Sequence, residues 1–495
     1  MFDLSHKINQ LIINRLDGEN LSDPSYRDKV HDLVRKGIGG FIIFGGNRDE
    51  VKEFIDSLQS ISDIPLFIAS DIERGAGQQF KGATNFPSLM AIAAAINQNE
   101  TSHVQLLDSY ITSVAEEAID IGINMPLIPV LDVNQNPDNP IICTRAFSDD
   151  TQRVSWFGKR YIELLQNAGL ISCAKHFPGH GDTAIDSHIS LPVITKSEED
   201  FMRADLIPFK EAIKSGVKSI MMGHLSIPSI DTLPATLSKK IVTDLLRKKL
   251  GYSGLVMTDA LNMSALNEFE NVPAKCIDAG IDIILHPTDA VKTADELKHA
   301  VDTGMLTEDQ IETAFQRVMQ YKSVLKTFAQ INPVYEEHKH IAENLFNTSI
   351  TLVSGKHDVS AMIDLNKCDL IFTGDDNRID ISALKQHMPN AVHISHYKQK
   401  VNDNIIIALF TTVAAWQGSS GIRNDDSEKI KQIIDKAERS LVISFGSPYV
   451  LKYFKKADML IAAYDSSIYA QKAVFACLIN NKGFKGSLPV KLDLF

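Results

Sequence analysis

Lys175-His-Phe-Pro-Gly-His-Gly-Asp-Thr-Ala-Ile-Asp-Ser-His188 continues directly from the apolar run Leu170-Ile-Ser-Cys-Ala174. The apolar run has the length of a buried strand. The segment after it is too rich in Gly and Pro for regular structure, and it carries three histidines, a lysine and two aspartates. A strand that ends in a chemically loaded loop is the expected reading. Loops held by a rigid scaffold are where catalytic groups concentrate.

The pattern repeats on both sides. Upstream, Gly37-Ile-Gly-Gly-Phe-Ile-Ile-Phe-Gly45 and Ile64-Pro-Leu-Phe-Ile-Ala-Ser70 read as strands, the second ending at Asp71-Ile-Glu73. Asn124-Met-Pro-Leu-Ile-Pro-Val-Leu-Asp132 ends at another acid. Downstream, Val217 to His224, Gly254 to Asp259 and Ile281 to His286 are strands with polar ends. Residues 4–17, 51–61, 101–121, 197–215 and 238–249 carry helical spacing, with Ser197-Glu-Glu-Asp200 as a capping box. Val154, Phe157, Tyr161 and Leu164 mark one helix face. Strand and helix alternate roughly every 30–40 residues, which predicts parallel βαβ units.

Asp71, Asp132, Lys175, His224, Asp259 and His286 all close strands. Polar groups after so many different strands favour a closed (β/α)8-like TIM barrel, whose strand ends converge on one rim, over an open doubly wound sheet. The barrel is expected over residues 1–330. A polar, helical linker covers 331–350, and a smaller α/β sandwich domain covers 351–495. Strands are expected there at 349–353, 370–373, 405–409, 441–445 and 459–463.

Composition narrows the function classes. The 495 residues are 44% apolar and 23% charged, as in ordinary globular proteins. A net charge of −12 argues against nucleic acid or an anionic membrane as partner. No apolar run approaches the ~18 residues of a membrane span. Five scattered cysteines form no CxxC pair and read as buried free thiols. The first residues lack the apolar core of a signal peptide, so a cytoplasmic location is expected.

The central loop admits three chemistries. His176, His180, His188, Asp182 and Asp186 are possible metal ligands, but HExxH spacing is absent and Lys175 lies among them. A purely structural loop would satisfy its histidines with backbone carbonyls. The third reading is acid–base catalysis by Asp186 and His188. A carboxylate on one ring nitrogen fixes the tautomer, and the other nitrogen exchanges a proton near neutral pH. Asp259, ending an apolar strand, is the matching nucleophile.

These residues resemble a known pattern. Lys-His-Phe-Pro-Gly-His-Gly-x4-Asp-Ser-His-x-x-Leu-Pro at 175–192 is similar to the signature of family 3 glycoside hydrolases, in the β-N-acetylhexosaminidase branch. Pro129-Val-Leu-Asp-Val133, Arg145-Ala-Phe147, Asp205-Leu-Ile-Pro-Phe209 and Val256-Met-Thr-Asp259 add to it. Ser444-Phe-Gly-Ser-Pro448 and Gly486-Ser-Leu-Pro-Val490 extend it to the C-terminal part. The resemblance implies a retaining double displacement, with Asp259 as nucleophile and His188, oriented by Asp186, as acid and base. It implies that Asp71, Arg145, Lys175 and His176 hold sugar hydroxyls, with His224 as a further contact, and that neither metal nor organic cofactor is used. One departure stands out. Where the family reads Asp-x-Glu-Gly-Gly-x-x-x-Arg, this chain has Asp71-Ile-Glu-Arg-Gly-Ala-Gly-Gln-Gln79.

The expected activity is release of terminal N-acetylglucosamine from muropeptides or chitooligosaccharides, by a monomer or homodimer, in peptidoglycan recycling. The competing readings are a β-glucosidase or β-xylosidase, a phosphorylase of the same family, and a non-enzymatic sugar-binding regulatory protein.

Overall fold

A computed structural model describes residues 2–183, 190–325, 331–355, 367–374, 379–398, 404–411, 421–479 and 483–493. The chain divides into two units. The first contains Met1–Asn85, Asp108–Val133 and Thr151–His338, and the second contains Phe86–Leu107, Asn134–Asp150 and Lys339–Phe495.

In the first unit the buried apolar runs become parallel strands. They are β1 (Ile12–Asp17), β2 (Gly40–Phe44), β3 (Phe67–Ser70), β4 (Met125–Pro126), β5 (Cys173–Phe177), β6 (Ser219–Met222), β7 (Leu255–Thr258) and β8 (Ile284–Leu285). One sheet has the order β4-β3-β2-β1-β8, the other β5-β6-β7. Their edges also exchange backbone hydrogen bonds. Cys173 N donates to Ile128 O at 2.8 Å, Leu131 N to Lys175 O at 2.7 Å, and Thr258 N to Ile283 O at 3.0 Å. Every residue of β3, β6 and β7 is buried, as parallel strands covered on both faces require. The helices between strands present apolar stripes. Helix Arg48–Ile61 buries Val51, Phe54, Ile55 and Leu58, and Asn47 caps it by accepting from Asp49 N. That i, i+3, i+4, i+7 set is one helix face, and losing the cap would cost about 1 kcal/mol.

Some elements differ from expectation. Residues 4–17 are not one helix: helix Leu4–Gln10 gives way to strand β1. The β-branched pair Ile12-Ile13 sits between β2 and β8, and that pairing overrides the helical spacing. The helix expected over 197–215 is two, Glu198–Ala204 and Ile207–Lys214. Pro208 opens the second and has no N–H with which to continue the first. The strand expected over 124–132 is interrupted: Met125–Pro126 pairs with β3 and Val130 bridges Lys175, with Pro126 and Pro129 unable to donate.

In the second unit a six-stranded sheet has the order β11-β10-β12-β13-β14-β9. Its strands are β9 (Thr351–Ser354), β10 (Cys368–Thr373), β11 (Val392–His393), β12 (Asn404–Phe410), β13 (Arg439–Phe445) and β14 (Met459–Ala462). Only β9 runs antiparallel to its neighbour among the described pairs. Alternate residues face opposite ways. Ile405, Ile407, Leu409 and Val442 pack with Ile430 and Ile433 of helix Asn424–Ile434 and with Met90, Ala91 and Ala94. Ile406, Ala408, Leu441 and Ile443 pack with Phe346, Leu384, Val474 and Phe475. Helix Tyr335–Ser349 occupies the polar stretch before β9. All five cysteines are free thiols. Among the described residues, no helix is long and apolar enough to cross a membrane.

Candidate active site

Lys175 lies within β5 with its side chain 1% exposed. Its Nζ is 2.7 Å from Asp71 Oδ1 and 2.7 Å from Glu73 Oε1. Asp71 and Glu73 come after β3 at i and i+2. A buried ammonium requires such partners, since an uncompensated buried charge is strongly destabilising. The three groups together carry one net negative charge. Glu73 is nearly buried while Asp71 remains about one-third exposed, so Asp71 is the acid open to an incoming molecule. Gln79 holds this corner from behind. Its Oε1 accepts from Gly45 N at 3.3 Å and its Nε2 donates to Asp71 O at 3.1 Å. It ties the end of β2 to the end of β3. A guanidinium has no acceptor and could not make both bonds.

The next residue turns to a different acid. His176 Nδ1 is 2.7 Å from Asp132 Oδ2, and His180 N donates to Asp132 Oδ1 at 2.7 Å. His176 N adds longer contacts of 3.3 Å to both carboxylate oxygens. Burial pushes the Asp132 carboxyl up, but the adjacent His176 and His180, with the hydrogen bonds they make to it, outweigh that and hold the group below the usual carboxylate range. His180 Nδ1 reaches Thr183 Oγ1 at 2.8 Å. Burial, reinforced by the neighbouring His176, depresses its pKa to about 4. Asp182 is paired with Lys196 at 3.0 Å, and Lys196 also reaches Asp205 at 3.0 Å. Asp186 and His188 lie outside the described residues.

Asp259 stands immediately after β7 and is half-buried. Its backbone N donates to Met222 O at 2.9 Å, and its Oδ1 accepts from Ala260 N at 2.7 Å. His224, two residues past β6, is fully buried. Its Nδ1 is 2.8 Å from Thr236 Oγ1 and its Nε2 is 3.3 Å from Ala260 O. Its ring therefore braces the backbone next to Asp259. His286, the first residue after β8, has a left-handed backbone with φ 46°. Burial and the Arg15 cation lower its pKa to about 4, against the opposing pull of Asp71 and Asp259.

The structure joins Lys175 directly to Asp71, places His176 next along the chain, and joins His224 to the residue after Asp259. Arg145 lies in the turn Cys143–Arg145 of the second unit, where its Nη1 donates to Ile141 O at 3.1 Å. Asp132 is expected from the sequence only as one of the strand-end polar groups, and Glu73 carries no expected role. The signal for Glu73 is its i+2 spacing from Asp71, which returns a side chain to the same face of an extended segment. Nothing local points to the pairing of Asp132 with His176, which are 44 residues apart.

The model of the glycosyl hydrolase family 3 N-terminal domain matches residues 3–321. The chain is 34% identical over 332 residues to β-hexosaminidase A of Pseudoalteromonas piscicida, covering 59% of this chain and 54% of that protein. It thus spans about half the length of that relative. It is 26% identical over 529 residues to a β-N-acetylglucosaminidase/β-glucosidase of Cellulomonas fimi, covering 95% and 91%. Among solved structures it is similar to a glycoside hydrolase family 3 β-N-acetylglucosaminidase from Paenibacillus sp. str. FPU-7. That match has a TM-score of 0.86, 26% identity and full coverage of both chains.

Proposed function

The chain belongs to glycoside hydrolase family 3, and from that premise we propose that it is a retaining exo-β-N-acetylglucosaminidase. It releases terminal N-acetylglucosamine from muropeptides or chitooligosaccharides. Asp259 attacks the anomeric carbon and forms a covalent glycosyl-enzyme. His188, oriented by Asp186, protonates the departing oxygen and then takes a proton from water. Asp71, Arg145, Lys175 and His176 hold the hydroxyls of the terminal sugar. His224 holds Ala260, so that Asp259 keeps its aim. No metal or organic cofactor takes part. The observation that carries this reading is Asp259 itself: a half-buried carboxylate immediately after β7, fixed by Met222 O on its backbone N and by Ala260 N on its Oδ1. The names of the relatives support the N-acetyl sugar as glycone.

The two sheets of the first unit are read as one closed (β/α)8 barrel, supported by the hydrogen bonds across both sheet edges. The catalytic domain is assigned to 1–330, the linker to 331–350 and the sandwich domain to 351–495, supported by the family match ending at residue 321, although 86–107 and 134–150 belong to the second unit and the first runs to His338. A cytoplasmic role in peptidoglycan recycling, as a monomer or homodimer, completes the proposal.

The test is turnover of aryl β-N-acetylglucosaminide against aryl β-glucoside, for wild type and His188→Ala. Preference for the N-acetyl sugar and a loss on the order of 10²–10⁴-fold in the variant are expected. Preference for glucoside would overturn the glycone assignment in favour of the second activity named for the Cellulomonas fimi relative. Comparing products with and without inorganic phosphate separates hydrolysis from phosphorolysis. Binding without any turnover would leave the sugar-binding regulator.

A further inference from the structure

Arg15, Asp17 and Phe44 have no part in the chemistry above, yet the sheet register brings them to the same place. Register partners in paired strands point to one face. Arg15 pairs with Ile42 and Asp17 with Phe44. Ile42 pairs in turn with Ala69, two residues before Asp71. All three side chains therefore lie on the face where Asp71 meets Lys175. Arg15 Nη2 is 3.1 Å from Asp17 Oδ2, and the Arg15 guanidinium carbon is 4.8 Å from the centre of the Phe44 ring. The His286 ring is 5.7 Å from that of Phe44, and His286 comes directly after the strand that touches β7 at Met257. The cluster is thus continuous with the end of the strand that carries Asp259.

Exposure separates this cluster from the deeper groups. The Arg15 and Asp17 side chains are 45% and 27% exposed, whereas Lys175, Glu73 and His176 are 1%, 6% and 6% exposed. An ion pair that open contributes little to stability. As a binding element it is well matched to sugar. Each hydroxyl of a vicinal diol both donates and accepts, and a guanidinium beside a carboxylate offers donors next to acceptors. The partly exposed Phe44 ring supplies an apolar surface for sugar C–H groups.

We propose that Arg15, Asp17 and Phe44 form a saccharide subsite for the leaving-group unit of the substrate. An exo-acting site holds the terminal unit at depth and the departing unit toward the opening, which is the gradient seen from Lys175 out to Arg15. The ligand is a hexose or N-acetylhexosamine residue with free neighbouring hydroxyls. The inference rests on the glycosidase reading, but not on the identity of the terminal sugar.

The experiment compares kcat/KM for chitobiose with kcat/KM for aryl β-N-acetylglucosaminide, in wild type, Arg15→Met and Phe44→Leu. Methionine keeps an aliphatic contact with Phe44 and removes the fork. The ratio of disaccharide to aryl glycoside is expected to fall about tenfold in Arg15→Met, the effect of losing a charge-assisted hydrogen bond, and to fall in Phe44→Leu. A ratio that does not move overturns the proposal. If both substrates decline together, the cluster reads the terminal sugar; if neither declines, it is a surface pair. Should wild type turn over neither N-acetyl substrate, the proposed activity fails separately, and the same ratio taken with cellobiose and aryl β-glucoside decides the subsite.

Discussion

Lys175 illustrates how one side chain serves stability and binding together. Its ammonium is shared by Asp71 and Glu73 in a place where water does not reach it. Lys175→Met would remove the ammonium that Asp71 and Glu73 share, a destabilisation of about 3–5 kcal/mol. Adding Glu73→Gln to Lys175→Met is expected to recover part of that loss, because one of the two neighbouring negative charges is gone. A double-mutant cycle by chemical denaturation at pH 7 reads this directly, and additive effects would refute the shared-cation picture. Asp132 gives a second residue-scale prediction, with a sign in pH. Burial raises its folded pKa, but His176 and His180 together lower it by more. The stability it contributes is present above the ordinary aspartate pKa of about 3.9 and is lost as pH falls through the lower folded value. Asp132→Asn should be less stable than wild type at pH 7, and the gap should narrow below about pH 4. A constant gap down to pH 2 would mean that packing, not charge, holds His176.

At the scale of elements, the loop after β5 is held by close backbone approach as well as by Asp132. A Cβ on Gly181 would lie 1.7 Å from Val133 O, and a carbonyl on the backbone cannot swing aside as a flexible side chain can. Gly181→Ala must therefore move the loop that leads to Asp186 and His188. The expected result is destabilisation of about 1–3 kcal/mol, with a loss of turnover that persists at temperatures where the variant is fully folded. A folded variant with full turnover would show that the loop tolerates the shift. Most strands and their polar ends were legible, because buried parallel strands read as short apolar runs and Gly or Pro bounds them. β1 was not legible, since Leu4, Ile8, Leu11 and Ile12 continue a helical spacing across its start. Its strand state comes from pairing with β2 and β8, and periodicity carries no information about pairing. That misreading also concealed Arg15, which has a shared face only once β1 is a strand.

At the scale of the molecule, sequence distance hides the partners that matter most. Met90 and Cys143 belong to the same apolar cluster as Ile371 and Val442, and no local pattern announces that. The pairing of His176 with Asp132 and the contact of His286 with Phe44 are equally non-local. Burial of histidines has a global consequence for pH. His180 and His286 are both buried, with pKa values near 4, whereas an unfolded histidine titrates near 6.5. Between those values the unfolded chain binds protons that the folded chain does not, so stability falls as pH drops from about 6.5 and the loss is complete near pH 4. Each histidine contributes about 3–4 kcal/mol to that loss at most. The expected experiment is a denaturation midpoint series from pH 7.5 to 4 for wild type and His286→Gln. The variant, which has nothing to protonate at that position, should lose less stability over the interval. Parallel curves would mean that His286 takes up its proton without opening the fold, and that the acid sensitivity arises at His180 and the carboxylates instead.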